Sequence, residues 1–127
     1  MEQVVYDSGA LIAIDSGNEL SFRRHVSRMS ARNHVMVPAP VVAQVVRDPR
    51  HQARLMATLR GCDIVPFEGD QAGLVGRLLA RSGTSDVVDG FVAVKAAETD
   101  ATVVTSDQGG IRHLLGTLGV RLLILKP

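Results

Sequence analysis

The chain has 127 residues, enough for one domain (1–127) with a substantial core and too few for two. Hydrophobic residues make up 46% and aromatics only 3%, so Val, Leu, Ile and Ala must fill that core. The net charge of +1 excludes a strongly basic or acidic protein, no apolar run approaches the ~18–20 residues of a membrane span, and the N-terminus lacks a signal-peptide profile. Cys62 has no second cysteine to pair with, which fits a reducing cytoplasm.

In chain order, strand and helix alternate without linker, repeat or low-complexity tract. Gln3–Tyr6 reads as a buried strand, followed by a helix through Ala10–Ile14 that stops near Gly17. Glu19–Arg32 is a basic helix, and His34–Val37 a strand closed by Pro38 and Pro40. Val41–Arg47 reads as helix, is interrupted at Pro49, and resumes over Arg50–Arg60. Asp63–Phe67 is a third strand, Asp70–Arg81 a helix, and Val87–Thr99 a helix with Ser85 or Asp86 as its cap. Thr102–Thr105 is a fourth strand, Gly110–Leu118 a helix and Val120–Leu125 a last strand. Strands joined by single helices make right-handed crossovers, so the expected fold is a three-layer α/β/α domain with a mainly parallel sheet.

The chemistry is concentrated in carboxylates. Asp7 and Asp107 each end an apolar run at what reads as the carboxyl edge of a strand. In such sheets ligands bind outside the carboxyl ends, where strand order reverses, so the two acids can share one cleft. Carboxylates gathered there repel one another, and a hard cation such as Mg²⁺ or Mn²⁺ relieves them. Asp86 and Asp89 lie one turn apart at the start of the Val87–Thr99 helix. Asp86 reads as a cap before it reads as a ligand. Asp89 lies beside the small residues Gly90, Ala93, Ala96 and Ala97, which let this helix pack closely on the sheet and turn the acid to the cleft. Ser8 and Ser106 flank the end acids and suit hydrogen bonds to a carboxylate or a phosphate, or simple capping.

Charge is unevenly spread. Leu20–Cys62 holds eight arginines and the single acid Asp48, whereas Thr84–Asp107 holds five acids and only Lys95. An acidic pocket beside a basic arm suits a polyanion substrate. The plainer reading is that amphipathic helices carry solvated arginines outward.

Three segments carry a family resemblance: Val4-Val5-Tyr6-Asp7-Ser8-Gly9-Ala10-Leu11-Ile12, Asp89-Gly90-Phe91-Val92-Ala93-Val94-Lys95-Ala96-Ala97 and Thr102-Val103-Val104-Thr105-Ser106-Asp107. In order and spacing they resemble the three acidic motifs of PIN domains, above all the small bacterial VapC-type toxins of toxin–antitoxin pairs. The resemblance spans essentially the whole chain. It implies a doubly wound sheet, a homodimer, an antitoxin partner and a metal-dependent endoribonuclease, with Asp7, Asp89 and Asp107 as catalytic ligands of Mg²⁺ or Mn²⁺. In the family's mechanism the ion lowers the pKa of an attacking water and stabilises charge on the leaving oxygen.

One position departs from the pattern. Within Pro40–Val46, where the family usually carries a Glu, this chain has Gln44. Asp48, one turn on if the helix continues to it, and Asp86 are possible substitutes, although Pro49 disfavours helical angles at Asp48. Arg47, Arg50 and Arg54, with His51, recur at spacings of three and four, a stripe along an RNA backbone if the two helical pieces are collinear. No aromatic is interleaved, so base stacking is not indicated. His25, His34, His51 and His113 share no metal-ligand spacing and suit local contacts.

Rival enzymes fail on particular residues. A haloacid-dehalogenase-type phosphatase needs an Asp where Gly9 stands, and no phosphate-cradling Gly-rich run is present. The serious alternative, supported by Gln44, is a catalytically weak or inactive PIN-like module that binds RNA or protein without cutting.

Overall fold

The structure, a computed structural model, describes residues 2–127. Five strands form one sheet: β1 (Gln3–Tyr6), β2 (His34–Pro38), β3 (Asp63–Val65), β4 (Thr102–Val104) and β5 (Ile124–Leu125). Their order is β3-β2-β1-β4-β5, and every neighbouring pair is parallel. The expected three-layer α/β/α architecture is the one observed. Central β1 reads as a continuous apolar run because both its faces are covered: Val4, Val5 and Tyr6 are all buried. The chain winds outward from β1 to β3, then returns to place β4 on the other side of β1. Strand order therefore reverses between β1 and β4, where Tyr6 pairs in register with Val104.

Seven α-helices connect the strands: α1 (Ser8–Asp15), α2 (Glu19–Ser30), α3 (Ala39–Val45), α4 (Ala53–Arg60), α5 (Gly69–Ser82), α6 (Val87–Thr99) and α7 (Gln108–Thr117). Among the described residues no helix is long and apolar enough to cross a membrane. As the low aromatic content requires, Val, Leu, Ile and Ala dominate the core, with Tyr6 and Phe91 its largest buried side chains.

Several expected bounds shift: α1 begins at Ser8, α2 ends at Ser30, two residues before Arg32, and β3 ends at Val65, two residues before Phe67. The helix after β2 starts at Ala39, because Pro at the first turn loses no hydrogen bond, and stops at Val45, since Val46 is extended (ψ 126°). Its continuation is split into a 3₁₀ turn, Pro49–His51, and α4, with Gln52 out of helical geometry between them. The last strand is only Ile124–Leu125, and α7 begins at Gln108, two residues earlier than expected. The small-residue face of α6 also meets a different neighbour at Gly90. A Cβ there would lie 2.9 Å from Val75 Cγ1 and 3.1 Å from Leu79 Cδ2, so the close approach is to α5 instead of the sheet.

Candidate functional site

Asp7 is the residue immediately after β1. Its N–H donates to Val104 O (3.2 Å), stitching the carboxyl ends of β1 and β4 together. Its extended backbone makes it the N-cap of α1, and its Oδ1 accepts from Ala10 N–H at 3.2 Å. The second oxygen, Oδ2, accepts from the Thr105 hydroxyl. Asp7 is 4% exposed and Thr105 is fully buried. Burial pushes the Asp7 carboxyl above the ordinary range, the Thr105 and backbone donors pull it back, and the charge of Asp107 pushes it up again.

Thr105 joins the two strand-end acids. While its hydroxyl donates to Asp7, its oxygen accepts from Asp107 N–H at 2.9 Å. Asp107 in turn caps α7, with Oδ1 accepting from Gly110 N–H at 3.0 Å. Gly110 makes this possible, because a Cβ at that position would overlap the Asp107 carboxylate. Gly9 does the same across the strand ends, since a Cβ there would overlap the Ser106 side chain.

Asp86 caps α6, accepting from Asp89 N–H at 3.0 Å, the role that its position before an apolar helix suggests. Asp89 lies in the first turn of that helix. It is partly buried, and burial, followed by the charges of Asp86, Asp7 and Asp107, pushes its carboxyl up to about 6. The four acids thus share one electrostatic environment although they come from three segments. Asp86, Asp89 and Asp107 line a cleft of about 320 Å³ with Thr84, Ser85 and His113. Asp7 does not line this cleft; it is tied to Asp107 through Thr105, and its charge reaches Asp89. Three helix N-termini, those of α1, α6 and α7, are capped by these carboxylates, so their positive dipole ends face the same acids.

Other expected residues do not line this cleft. Gln44 is exposed on α3, which leads away from the carboxyl end of β2. Asp48 does not extend the α3 face, because that helix ends at Val45. It caps the 3₁₀ turn and is held by Arg50 (3.2 Å) and His51 (2.8 Å), which keep its carboxyl below the ordinary range. The arginine stripe is not formed either. Arg47 folds back on Ala43 O and Val46 O, Arg50 pairs with Asp48, and Arg54 pairs with Glu19 and lies 4.3 Å over the Phe22 ring. The break from Val46 to Gln52 removes the collinearity on which the stripe depended.

All four histidines make local contacts. His25 Nδ1 meets the buried Tyr6 hydroxyl at 2.8 Å, His34 meets Asp63, His51 meets Asp48, and His113 Nε2 meets Ser82 O at 2.8 Å. Burial raises the Cys62 thiol to about 11, and the group donates to Thr58 O, so it is structural. Sequence reasoning gave Thr105 no role and did not place His113 in the lining of the cleft. A hydroxyl two residues before a strand-end acid was the available signal for the first, and nothing local marked the second.

No protein-family model matches the chain, and no curated protein matches it in sequence. Among solved structures, similar chains occur in VapBC2 from Rickettsia felis bound to a DNA fragment from their promoter (16% identity, 98% of each chain, TM-score 0.69) and FitAcB from Neisseria gonorrhoeae (17%, 96% of each chain, TM-score 0.68). PAE2754 from Pyrobaculum aerophilum is similar over 97% of this chain and 83% of its own (15% identity, TM-score 0.68). At these identities the likeness is one of fold.

Proposed function

We propose that this chain is a metal-dependent endoribonuclease of the PIN type, with Asp7, Asp89 and Asp107 as its catalytic carboxylates and Mg²⁺ or Mn²⁺ as its cofactor. The observation that carries the proposal is the meeting of these acids at the switch point between β1 and β4, where ionising Asp89 is already costly. A site that concentrates charge it cannot itself neutralise is suited to a cation and a phosphate.

The donor set is all oxygen, which hard divalent ions take. Among the described residues no group of three or more His, Cys, Asp or Glu side chains is arranged so that it could hold a metal ion by itself. Mg²⁺ does not need such a group, since it is commonly held by one or two carboxylates, waters and substrate phosphates. Asp89 and Asp107, which line the cleft, would hold the ion, and Asp7, joined to Asp107 through Thr105, would add its charge. When bound, it supplies charge stabilisation at a phosphoryl oxygen and a lowered pKa for the attacking water. The protein's own part is positioning. Thr105 fixes Asp7 and the Asp107 backbone in one unit, Asp86 anchors the α6 terminus that carries Asp89, and the ends of α6 and α7 hold the capping carboxylates Asp86 and Asp107 in place.

A role as the toxin of a toxin–antitoxin pair, homodimerisation and a cytoplasmic site of action follow from the three-motif resemblance. The fold shared with chains from VapBC2 and FitAcB points the same way. Gln44 favours one other reading, a PIN-like module that binds RNA or protein without cleaving. Incubation of a mixed-sequence RNA with Mn²⁺ or Mg²⁺, against EDTA and against Asp7→Asn and Asp107→Asn, separates the two. Cleavage that needs metal and is lost in both variants is expected. RNA that is bound but never cut would place the chain in the second class.

A further inference from the structure

A groove of about 390 Å³ opens on the other side of the Ser106–Asp107 turn from the acidic cleft, between α1, α2 and the C-terminal residues. Its wall reaches Gly9 and Ser106, two residues after Asp7 and one before Asp107, so it adjoins the candidate site directly. Its floor includes Ile12 and Leu20, which are 54% and 56% exposed. Single exposed apolar side chains are ordinary, but two lining one groove beside a polar site are not explained by packing. Arg24 and Lys126 also line it, and among the described residues no Asp or Glu side chain does. Arg24 donates to Pro127 O at 2.6 Å, which fixes the guanidinium at the edge of the groove and leaves its other N–H groups free to donate.

We propose that this groove holds the single-stranded RNA segment adjoining the scissile phosphate, with Arg24 and Lys126 on backbone phosphates and Ile12 and Leu20 beneath a base. The proposal rests on the nuclease reading and replaces the Arg47–Arg50–Arg54 stripe, whose collinearity the break from Val46 to Gln52 removes. The two cations attract the polyanion, while the acids next door require that attraction to be local. The floor is aliphatic and has no aromatic platform, so binding is tolerant of sequence.

The test uses the full chain and a fluorescein-labelled 12-nucleotide single-stranded RNA in EDTA, followed by anisotropy from 50 to 200 mM NaCl. Each phosphate contact to a single strand contributes about 0.7 to the slope of log K against log salt. Arg24→Ala/Lys126→Ala is therefore expected to lower the slope by about 1.4 and to weaken binding on the order of 25-fold at 0.1 M salt. Both side chains are exposed, so the thermal midpoint should not move, and Arg24→Lys should retain most of the affinity. An unchanged slope, or no RNA binding by the wild type, overturns the groove. Equal competition by an acidic peptide through the same two residues assigns it to a protein partner and overturns the RNA assignment. RNA bound here but never cut in Mn²⁺ overturns the nuclease reading and leaves the groove standing. Cleavage with KM unchanged in the double variant does the reverse.

Discussion

Replacing Thr105 by valine isolates the contact that joins the two strand-end acids. The two side chains are nearly the same size, so the fully buried site keeps its packing and loses only a hydroxyl. That hydroxyl donates to Asp7 Oδ2 and accepts from Asp107 N–H. A hydrogen bond to a charged group contributes about 1.5–3 kcal/mol. The freed N–H of exposed Asp107 can turn to water, so its loss adds about 0.5–1 kcal/mol. The expected cost is about 3 kcal/mol at pH 8. With roughly 2.1 cal/mol/K of unfolding entropy per residue, this lowers the melting temperature of a 127-residue chain by about 11 °C. The bond favours the ionised form of Asp7, so its loss raises that carboxyl further. The deficit therefore grows with pH and shrinks at pH 4, where the group is protonated more fully in the folded chain than in the unfolded one. Thr105→Ser keeps the hydroxyl and most of the stability. Thermal unfolding at pH 4 and pH 8 decides the matter. A Thr105→Val melt within 2 °C of the wild type (on the order of 0.5 kcal/mol) at pH 8, or an equal deficit at both values, would refute this account of the contact.

Three other perturbations probe the site. Asp89 titrates near 6 in the folded chain, above its ordinary value, so the folded state holds the extra proton and metal-free protein should lose stability as pH rises from about 4 to about 6. Asp89→Asn should flatten that slope in a pH series of melts and raise the metal-free midpoint by a few degrees at pH 7.5; a slope as steep as the wild type's would show that another group titrates. Gly9→Ala places a Cβ against Ser106 and should cost about 1–3 kcal/mol by chemical denaturation, with partial recovery in Gly9→Ala/Ser106→Gly. No recovery would move the strain elsewhere. Gln44→Glu adds a carboxylate on the helix that follows β2 and should tighten Mn²⁺ binding about fivefold, roughly 1 kcal/mol, by calorimetry. An unchanged titration removes Gln44 from the site.

The strand ends were legible because buried parallel strands are short apolar runs and the acids that terminate them stand out, as at Tyr6–Asp7. The α6 cap was legible for a similar reason, since an acid before an apolar helix has few other uses. The region from Val46 to Gln52 was not. Pro49 announced a break, but whether two helical pieces stay collinear depends on Val46 turning extended and on Gln52, whose side chain reaches Asp15 at 3.0 Å. That contact joins residues 37 apart in sequence and leaves no local trace. The role of Thr105 was hidden likewise, because its partner Asp7 is 98 residues away. Capping by Asp7 and Asp107 was open to inspection, yet their position at strand ends drew attention to metal binding first. The structure shows both acids in the helix-capping role, and an ion would use what the caps leave exposed.

The most direct measurement is the single-turnover cleavage rate of a fluorescent RNA across a Mn²⁺ titration, for the wild type and Asp89→Asn. The account predicts a rate that saturates with Mn²⁺, vanishes in EDTA and is lost in Asp89→Asn while that variant still binds RNA. Cleavage that persists in EDTA, or an Asp89→Asn rate equal to the wild type's, contradicts it.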